Sequence, residues 1–146
     1  MEEQVKIVFT GGGTGGHLFP IIAIAREMRR LSQQENSSGF LFERKKDFKL
    51  YYMGPKDALG SKALSEENFK IYTIISGKLR RYFSFQNIID IVFKIPFSFF
   101  QSFFILLSIG PDLVFCKGGT GSAVVVVCAK MLRIPIFVHE SDVVPG

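Results

Sequence analysis

Residues 5–20 run V-K-I-V-F-T-G-G-G-T-G-G-H-L-F-P, and this stretch decides the fold. An apolar run ends at Thr10, and five of the next six residues are glycine. Beyond His17, apolar residues recur at the spacing of one helix face, at Leu18, Ile21, Ile22, Ala25 and Met28. The stretch therefore predicts a β-strand, a glycine loop and an α-helix.

The glycine loop indicates a phosphate or diphosphate site. Glycine has no Cβ, so a bulky ligand can approach the backbone closely. The first N–H groups of the following helix point outward, and the helix dipole favours an anion there. One or two glycines would suffice for a tight turn, so the presence of five favours the close approach of a ligand. His17 stands at the rim of the loop, where a histidine suits a general base and equally suits a phosphate ligand or a helix cap.

Two nucleotide motifs compete for this loop. Gly11, Gly13 and Gly16 fit the dinucleotide fingerprint G-x-G-x-x-G, which also requires an acidic residue at the end of the second strand to hold a ribose. The second predicted strand ends in Y-M-G-P at residues 52–55, without an acid. A P-loop is excluded because the loop lacks G-K-[ST]. A Rossmann oxidoreductase domain remains an alternative to a sugar-diphosphate site.

The rest of the chain alternates strand and helix patterns. We predict further strands at 50–53, 71–75, 112–116 and 135–139, helices at 57–67, 85–109 and 123–132, and an irregular insertion at 35–48. This order predicts an α/β fold with a Rossmann-like doubly wound parallel sheet. A second glycine loop covers 117–122. Ligands bind such sheets at the carboxyl ends of the strands, so both glycine loops and the turn at 139–142 should lie together.

Length, charge and cysteine usage narrow the function classes. The 146 residues correspond to about one domain. A net charge of +5 favours an anionic partner, for which nucleic acid, acidic lipid and a phosphorylated substrate qualify. Cys116 and Cys128 lie in apolar runs without a C-x-x-C pattern, which predicts buried free thiols in a reducing compartment. No secretory segment follows the acidic start, and no cluster has metal-ligand spacing, so we expect a cytosolic protein without a metal.

The segment 85–109 is strongly apolar, and it raises the question of a membrane span. Such a span needs about 20 apolar residues. Asp90, Lys94, Pro96 and Gln101 interrupt this one. We therefore predict a helix that covers the sheet and keeps some surplus apolar surface.

Four motifs in this order resemble the MurG-like glycosyltransferases. They are G-G-G-T-G-G-H-L-F-P at 11–20, S-G-K-L-R-R-Y-F at 76–83, P-D-L-V-F-C-K-G-G-T-G-S at 111–122 and R-I-P-I-F-V-H-E-S-D-V-V-P-G at 133–146. The resemblance covers nearly the whole chain and only the amino-terminal domain of the family. It implies that residues 1–146 form one acceptor-binding domain, half of the GT-B architecture of family 28, with the donor-binding domain absent.

The resemblance also implies an activity. Members of this family move GlcNAc from UDP-GlcNAc, with inversion and without a cofactor, to lipid-linked MurNAc-pentapeptide diphosphate, converting lipid I to lipid II in peptidoglycan synthesis. We expect a peripheral protein at the cytoplasmic face of the cell membrane with no nucleic-acid partner. The 146-residue chain alone should be inactive. It is expected to be a truncated half of one enzyme, or else a natural half of a split GlcNAc transferase.

The resemblance assigns roles to three groups of residues. His17 is the predicted catalytic base, with Glu140 and Asp142 as the other candidates; Asp142 stands where many family members have asparagine. The substrate-binding residues are predicted to be Gly12, Gly13, Thr14, Gly15, Gly16, Lys117, Gly118, Gly119, Thr120, Gly121, Ser122, Glu140 and Asp142. A basic and aromatic patch that should face an anionic membrane consists of Lys78, Leu79, Arg80, Arg81, Tyr82, Phe83 and Phe85. That patch leaves a non-enzymatic membrane-binding module as a third alternative.

Overall fold

The computed structural model describes residues 4–11, 15–33, 47–56, 58–75, 93–119 and 121–139. Within these residues, strands and helices alternate along the chain. In chain order they are β1 (Gln4–Thr10), α1 (Gly15–Gln33), β2 (Asp47–Gly54), α2 (Ala58–Glu66), β3 (Lys70–Thr73), α3 (Ile95–Ile109), β4 (Leu113–Cys116), α4 (Ser122–Met131) and β5 (Ile136–Val138).

The strands form one sheet in the order β3-β2-β1-β4-β5. Every neighbouring pair is parallel. The chain builds outward from β1 in one direction through β2 and β3, and then in the other through β4 and β5. The order therefore reverses between β1 and β4, which is where ligands bind in open α/β sheets. The predicted Rossmann-like doubly wound sheet is confirmed.

The first face of the sheet packs against α1 and α2. Its core contains Phe9 from β1, Ile21 from α1 and Leu64 from α2, all fully buried. The ring of Phe9 lies 5.5 Å from that of Phe69 and 5.2 Å from that of Phe115. Because alternate residues of a strand point to opposite faces, Val8 belongs instead to the core on the other side.

The second face packs against α3 and α4. Leu106 of α3 and Val125 of α4 lie in this core with Val114 of β4. The Cys128 thiol lies between the two helices, 3.5 Å from the carbonyl oxygen of Phe99. Burial raises the pKa of Cys128 to about 11. Cys116 is also buried and free, so the prediction of buried free thiols is confirmed.

The outer side of α3 carries a row of exposed apolar side chains, which we call the apolar stripe. The stripe consists of Phe93, just before α3, and of Phe97, Phe100, Phe104 and Leu107 within the helix. The spacings of three and four residues put these side chains on one side of the helix. None of the described helices is both long and apolar enough to cross a bilayer. The prediction of a sheet-covering helix with surplus apolar surface thus agrees with the part of the segment that the structure describes.

The structure corrects several predicted boundaries. We assigned Asp47 and Phe48 to an insertion, but both belong to β2, because β2 pairs with β1 from the register Gln4↔Asp47 onward. The side chain of Gln4 donates a hydrogen bond to Asp47 at 3.0 Å. The strands β3, β4 and β5 are each shorter than predicted by one or two residues, and α1 begins at Gly15. The first part of the predicted 85–109 helix, through residue 92, lies outside the described residues.

Candidate functional site

The ends of three strands meet at one edge of the sheet. The backbone N–H of Lys117 donates to the carbonyl of Thr10 at 2.9 Å, which joins the end of β4 to the end of β1. The backbone N–H of His139 donates to the carbonyl of Cys116 at 2.8 Å, which adds the end of β5. The two glycine loops therefore leave the sheet from adjacent strands at its switch point.

The first glycine loop connects β1 to α1. Gly11 is buried at the end of the strand, and Gly15 and Gly16 form the first residues of α1. The backbone places His17 in the first turn of that helix, and this turn contains no acidic residue. An anion would therefore meet the positive end of the α1 dipole without a competing carboxylate from that turn. Gly12, Gly13 and Thr14 lie outside the described residues.

The second glycine loop connects β4 to α4, and its backbone requires glycine. Gly118 and Gly119 have φ angles of 93° and 98°, which other residues rarely adopt. The Ser122 hydroxyl donates to the carbonyl of Gly119 at 2.7 Å, and the Ser122 N–H donates to the same oxygen at 3.1 Å. No side chain caps α4 at Gly121, so the N–H groups that follow that of Ser122 in the first turn are available to an anion. Thr120 lies outside the described residues.

Lys117 is buried at the end of β4, with 3% of its surface exposed. It is therefore not a solvated surface lysine. A lysine at this position brings positive charge to the edge where both loops begin, and the low local dielectric strengthens its attraction for an anion.

His139 follows β5 at the same edge and is half-buried. Its ring lies 6.2 Å from that of Phe115 at an interplanar angle of 29°. Within the described part of the chain, the Nδ1 of His139 is buried without a hydrogen-bond partner. Glu140 and Asp142 follow it outside the described residues.

Sequence reasoning missed two residues at this edge. Thr10 is fully buried, and its hydroxyl has no hydrogen-bond partner among the residues that the structure describes. Tyr52 of β2 directs its hydroxyl at the carbonyl of Gly11, 3.5 Å away. The sequence does contain a signal for Tyr52. Residues two apart on a strand point to the same face, so Gly54 leaves space beside the Tyr52 ring.

The structure does not test the predicted membrane patch or the expected absence of a metal. The patch that includes Lys78, Arg80, Tyr82 and their neighbours through Phe85 lies outside the described residues. Among the residues that are described, no group of three or more His, Cys, Asp or Glu side chains is arranged to hold a metal ion.

Comparison with known proteins gives a family match and relatives. Residues 7–146 match the model of the glycosyltransferase family 28 N-terminal domain. A UDP-N-acetylglucosamine–N-acetylmuramyl-(pentapeptide) pyrophosphoryl-undecaprenol N-acetylglucosamine transferase from Treponema denticola is 41% identical over 150 residues, which cover 96% of this chain and 34% of that protein. The protein of the same name from Borrelia turicatae is 37% identical over 147 residues, covering all of this chain and 37% of the relative.

Among solved structures, Acinetobacter baumannii MurG superposes with a TM-score of 0.69 at 21% identity. The match covers 97% of this chain and 36% of that one. A likeness at this level of identity shows a common fold. The chain thus spans little more than a third of the length of the relatives it matches.

Proposed function

The chain belongs to the glycosyltransferase family 28 N-terminal domains, and on this premise we propose that it is the acceptor-binding domain of a peptidoglycan GlcNAc transferase. The proposed acceptor is lipid-linked MurNAc-pentapeptide diphosphate, and the donor is UDP-GlcNAc. The names of relatives at 37% and 41% identity support both substrates. The donor would be bound mainly by the part of those proteins that this chain does not span.

The observation that carries this proposal is the pair of glycine loops at one switch point. The hydrogen bond from the Lys117 N–H to the Thr10 carbonyl joins the strands from which both loops start. Each loop leads into the N-terminus of a helix. Two helix N-termini offer two sets of N–H donors, which suit the two phosphates of a diphosphate. The buried Lys117 adds positive charge beside them.

The proposed reaction displaces UDP from C1 of GlcNAc. A hydroxyl oxygen of the acceptor sugar forms the new bond to C1 from the opposite face while the bond from C1 to the UDP oxygen breaks. A general base takes the hydroxyl proton. We assign this role to His17, because the backbone places it in the first turn of α1, directly after the first loop. Glu140 and Asp142, which follow β5 in the sequence, are the other candidate bases.

We further propose that the domain attaches peripherally to the cytoplasmic face of an anionic membrane. The acceptor is itself anchored in lipid, so the site must reach the bilayer surface. The sequence patch with Lys78, Arg80 and Arg81 supports this proposal. The apolar stripe supports it independently, because α3 and α4 contain no acidic residue. Exposed cations accompany these helices: Lys94 precedes α3, Lys130 lies in the last turn of α4, and Arg133 follows α4. Cations beside exposed aromatic residues are typical of surfaces that bind anionic lipid.

A valine at position 15 tests the acceptor site. The added side chain at Gly15 would occupy space that an anion needs at the start of α1. We expect Gly15→Val to weaken binding of a soluble, short-chain acceptor analogue by about tenfold or more, the scale of one lost charge-assisted hydrogen bond. Ala23→Val adds a comparable side chain to an exposed position of the same helix and should bind as the wild type does. A folded Gly15→Val protein with unchanged affinity would contradict the assignment.

A further inference from the structure

We infer that Tyr52 is a positioning residue, whose hydroxyl holds the Gly11 carbonyl and thereby sets the entry of the first glycine loop for diphosphate binding. This inference rests on the proposed function, because it assigns a support to the same site. Tyr52 does not need to touch the ligand. It acts through the backbone of β1, where the loop begins.

The position of Tyr52 makes such a role possible. It lies on β2 directly beside Phe9 of β1, and it is buried in the core of the first face. From there its hydroxyl extends past Phe9 and reaches the carbonyl of Gly11, just after the end of β1, at 3.5 Å. The contact links residues that are 41 positions apart in the sequence. It thus ties the loop to a neighbouring strand.

Gly54 is the residue that gives this ring its room. A Cβ atom on Gly54 would lie 2.6 Å from the Tyr52 hydroxyl oxygen and 2.7 Å from a ring carbon. Real Cβ atoms do not approach other atoms that closely, so any larger residue at 54 would displace the ring. The three atoms nearest to such a Cβ all belong to Tyr52. Glycine is therefore needed at position 54 to accommodate the tyrosine side chain. The position of the Tyr52 ring thus depends on glycine at the end of β2.

The carbonyl that Tyr52 contacts controls the direction of the loop. In a trans peptide the carbonyl and the next N–H are fixed in opposite directions within one plane. A hydroxyl that holds the Gly11 carbonyl toward β2 therefore orients the whole peptide plane that leads into the loop. A loop built of glycine has many accessible conformations. Ordering its first peptide lowers the entropy that ligand binding must remove.

The hydrogen bond from Tyr52 to the Gly11 carbonyl is long. A strong O–H···O bond measures about 2.7–2.8 Å, so 3.5 Å corresponds to a weak contact. A contact of this strength contributes little to the stability of the fold, so we expect its effect in ligand binding.

Tyr51 provides a matched control for this hydroxyl. It is the preceding residue on β2, it is also a buried tyrosine, and it points to the opposite face, where its ring stacks on that of Tyr72. Both Tyr52→Phe and Tyr51→Phe remove one oxygen and keep the ring. A role limited to core packing predicts similar behaviour for the two variants. A positioning role predicts weaker binding for Tyr52→Phe only.

The test measures calorimetric affinity of the chain for the short-chain acceptor analogue, together with the thermal midpoint. We expect Tyr52→Phe to bind roughly three- to tenfold more weakly, as for a lost neutral hydrogen bond, with little change in thermal midpoint. Tyr51→Phe should keep the wild-type affinity. Gly54→Ala should also weaken binding, but in a Tyr52→Leu background it should add little, because the ring that it displaces is gone.

The possible results distinguish a failure of the Tyr52 inference from a failure of the proposed acceptor-binding function. Normal binding by the wild type and by both phenylalanine variants would overturn the role of Tyr52 and leave the proposed function intact. Equal losses in Tyr52→Phe and Tyr51→Phe would also overturn it, since they indicate a general effect on packing. A folded wild-type chain that does not bind the analogue would overturn the proposed function and this inference together.

Discussion

The helices that cover the two faces of the sheet differ in their outer surfaces. On the first face, the surface of α1 and α2 carries ion pairs, in which Arg26 and Arg29 of α1 contact Glu67 just after α2. Arg30 pairs with Glu27 on the same helix at 2.6 Å. On the second face, α3 and α4 contain no acidic residue, and the apolar stripe occupies the outer side of α3.

This difference indicates that the faces suit different environments. The cores beneath them are similar, since each buries strand and helix side chains completely. Only the outer surfaces differ. Scattered apolar residues are normal on protein surfaces, but a contiguous apolar patch marks an interaction site. The first face therefore has a charged, paired outer surface, whereas the second has an apolar outer surface, which we propose contacts lipid.

The largest expected effect distinguishes the inner from the outer side of α3. Leu106 is fully buried, whereas Phe104 is 63% exposed. Leu106→Ala should lower the free energy of unfolding by about 3 kcal/mol, because it leaves a cavity in the core. Phe104→Ala should change it by less than about 1 kcal/mol, as for other surface positions. Urea unfolding measures both. Comparable losses would show that the stripe belongs to the core, and the contrast between the two faces would fail.

Vesicle binding tests the stripe directly. Replacing Phe97 and Phe104 together by serine should weaken sedimentation with anionic vesicles by about tenfold or more, because two large apolar groups no longer leave water. Phe19→Ser is the control, since Phe19 is as exposed on α1 as those two are on α3. Binding of the wild type should rise with anionic lipid and weaken with salt. If the double variant binds like the wild type, the stripe is not the lipid contact.

Much of the fold follows from local signals in the sequence. Strand patterns alternate with helix patterns along the sequence, and glycine loops follow two of the strands. This alternation predicts an α/β fold with a doubly wound parallel sheet. Positive φ angles at Gly118 and Gly119 fit the second loop. The meeting of both loops at one edge then follows from the topology of parallel sheets.

Other features depend on packing between distant segments, and local patterns do not contain them. The start of β2 at Asp47 is fixed by pairing with β1, although its charged residues resemble a loop. The contact of Tyr52 with Gly11 crosses 41 positions. The segment that forms α3 is apolar on several sides, so only its contacts with the sheet determine which residues become the stripe.

A smaller effect is expected at the inner side of α3. Ser102 is fully buried, and its hydroxyl has no hydrogen-bond partner within the described residues. Ser102→Ala should raise the free energy of unfolding by about 1 kcal/mol, because it removes an unpaired buried hydroxyl and improves helix propensity. Ser108→Ala, at an exposed position of the same helix, changes propensity alone and should gain less. A destabilised Ser102→Ala protein would show that the hydroxyl has a partner.

The smallest effect concerns the ion pairs of the first face. The hydrogen bond from Arg26 lowers the pKa of Glu67, with the charges of Arg26 and Arg29 adding to it. A carboxyl with a lowered folded-state pKa stabilises the fold above its ordinary pKa of 4.5, and loses this contribution as the pH falls through the folded-state value. Glu67→Gln should therefore be slightly less stable than the wild type at pH 7, and the difference should shrink below pH 4.5.

The control for this prediction is Glu27→Gln, since the hydrogen bond from Arg30 also lowers the pKa of Glu27. Glu27 is more exposed than Glu67, so its removal should have the smaller effect. Urea unfolding at several pH values measures both variants. A stability difference for Glu67→Gln that does not depend on pH would contradict an electrostatic role.

The central claim is that the acceptor diphosphate binds where β1 and β4 end. Titrating the isotopically labelled chain with the short-chain acceptor analogue, and following the backbone amide signals by NMR, tests it most directly. The account predicts that the largest shifts fall on Gly11, Gly15 and Gly16 in the first loop and on 118–122 in the second. An analogue without the diphosphate should cause much smaller shifts. Saturable binding whose shifts lie elsewhere, or equal shifts without the diphosphate, would contradict the account.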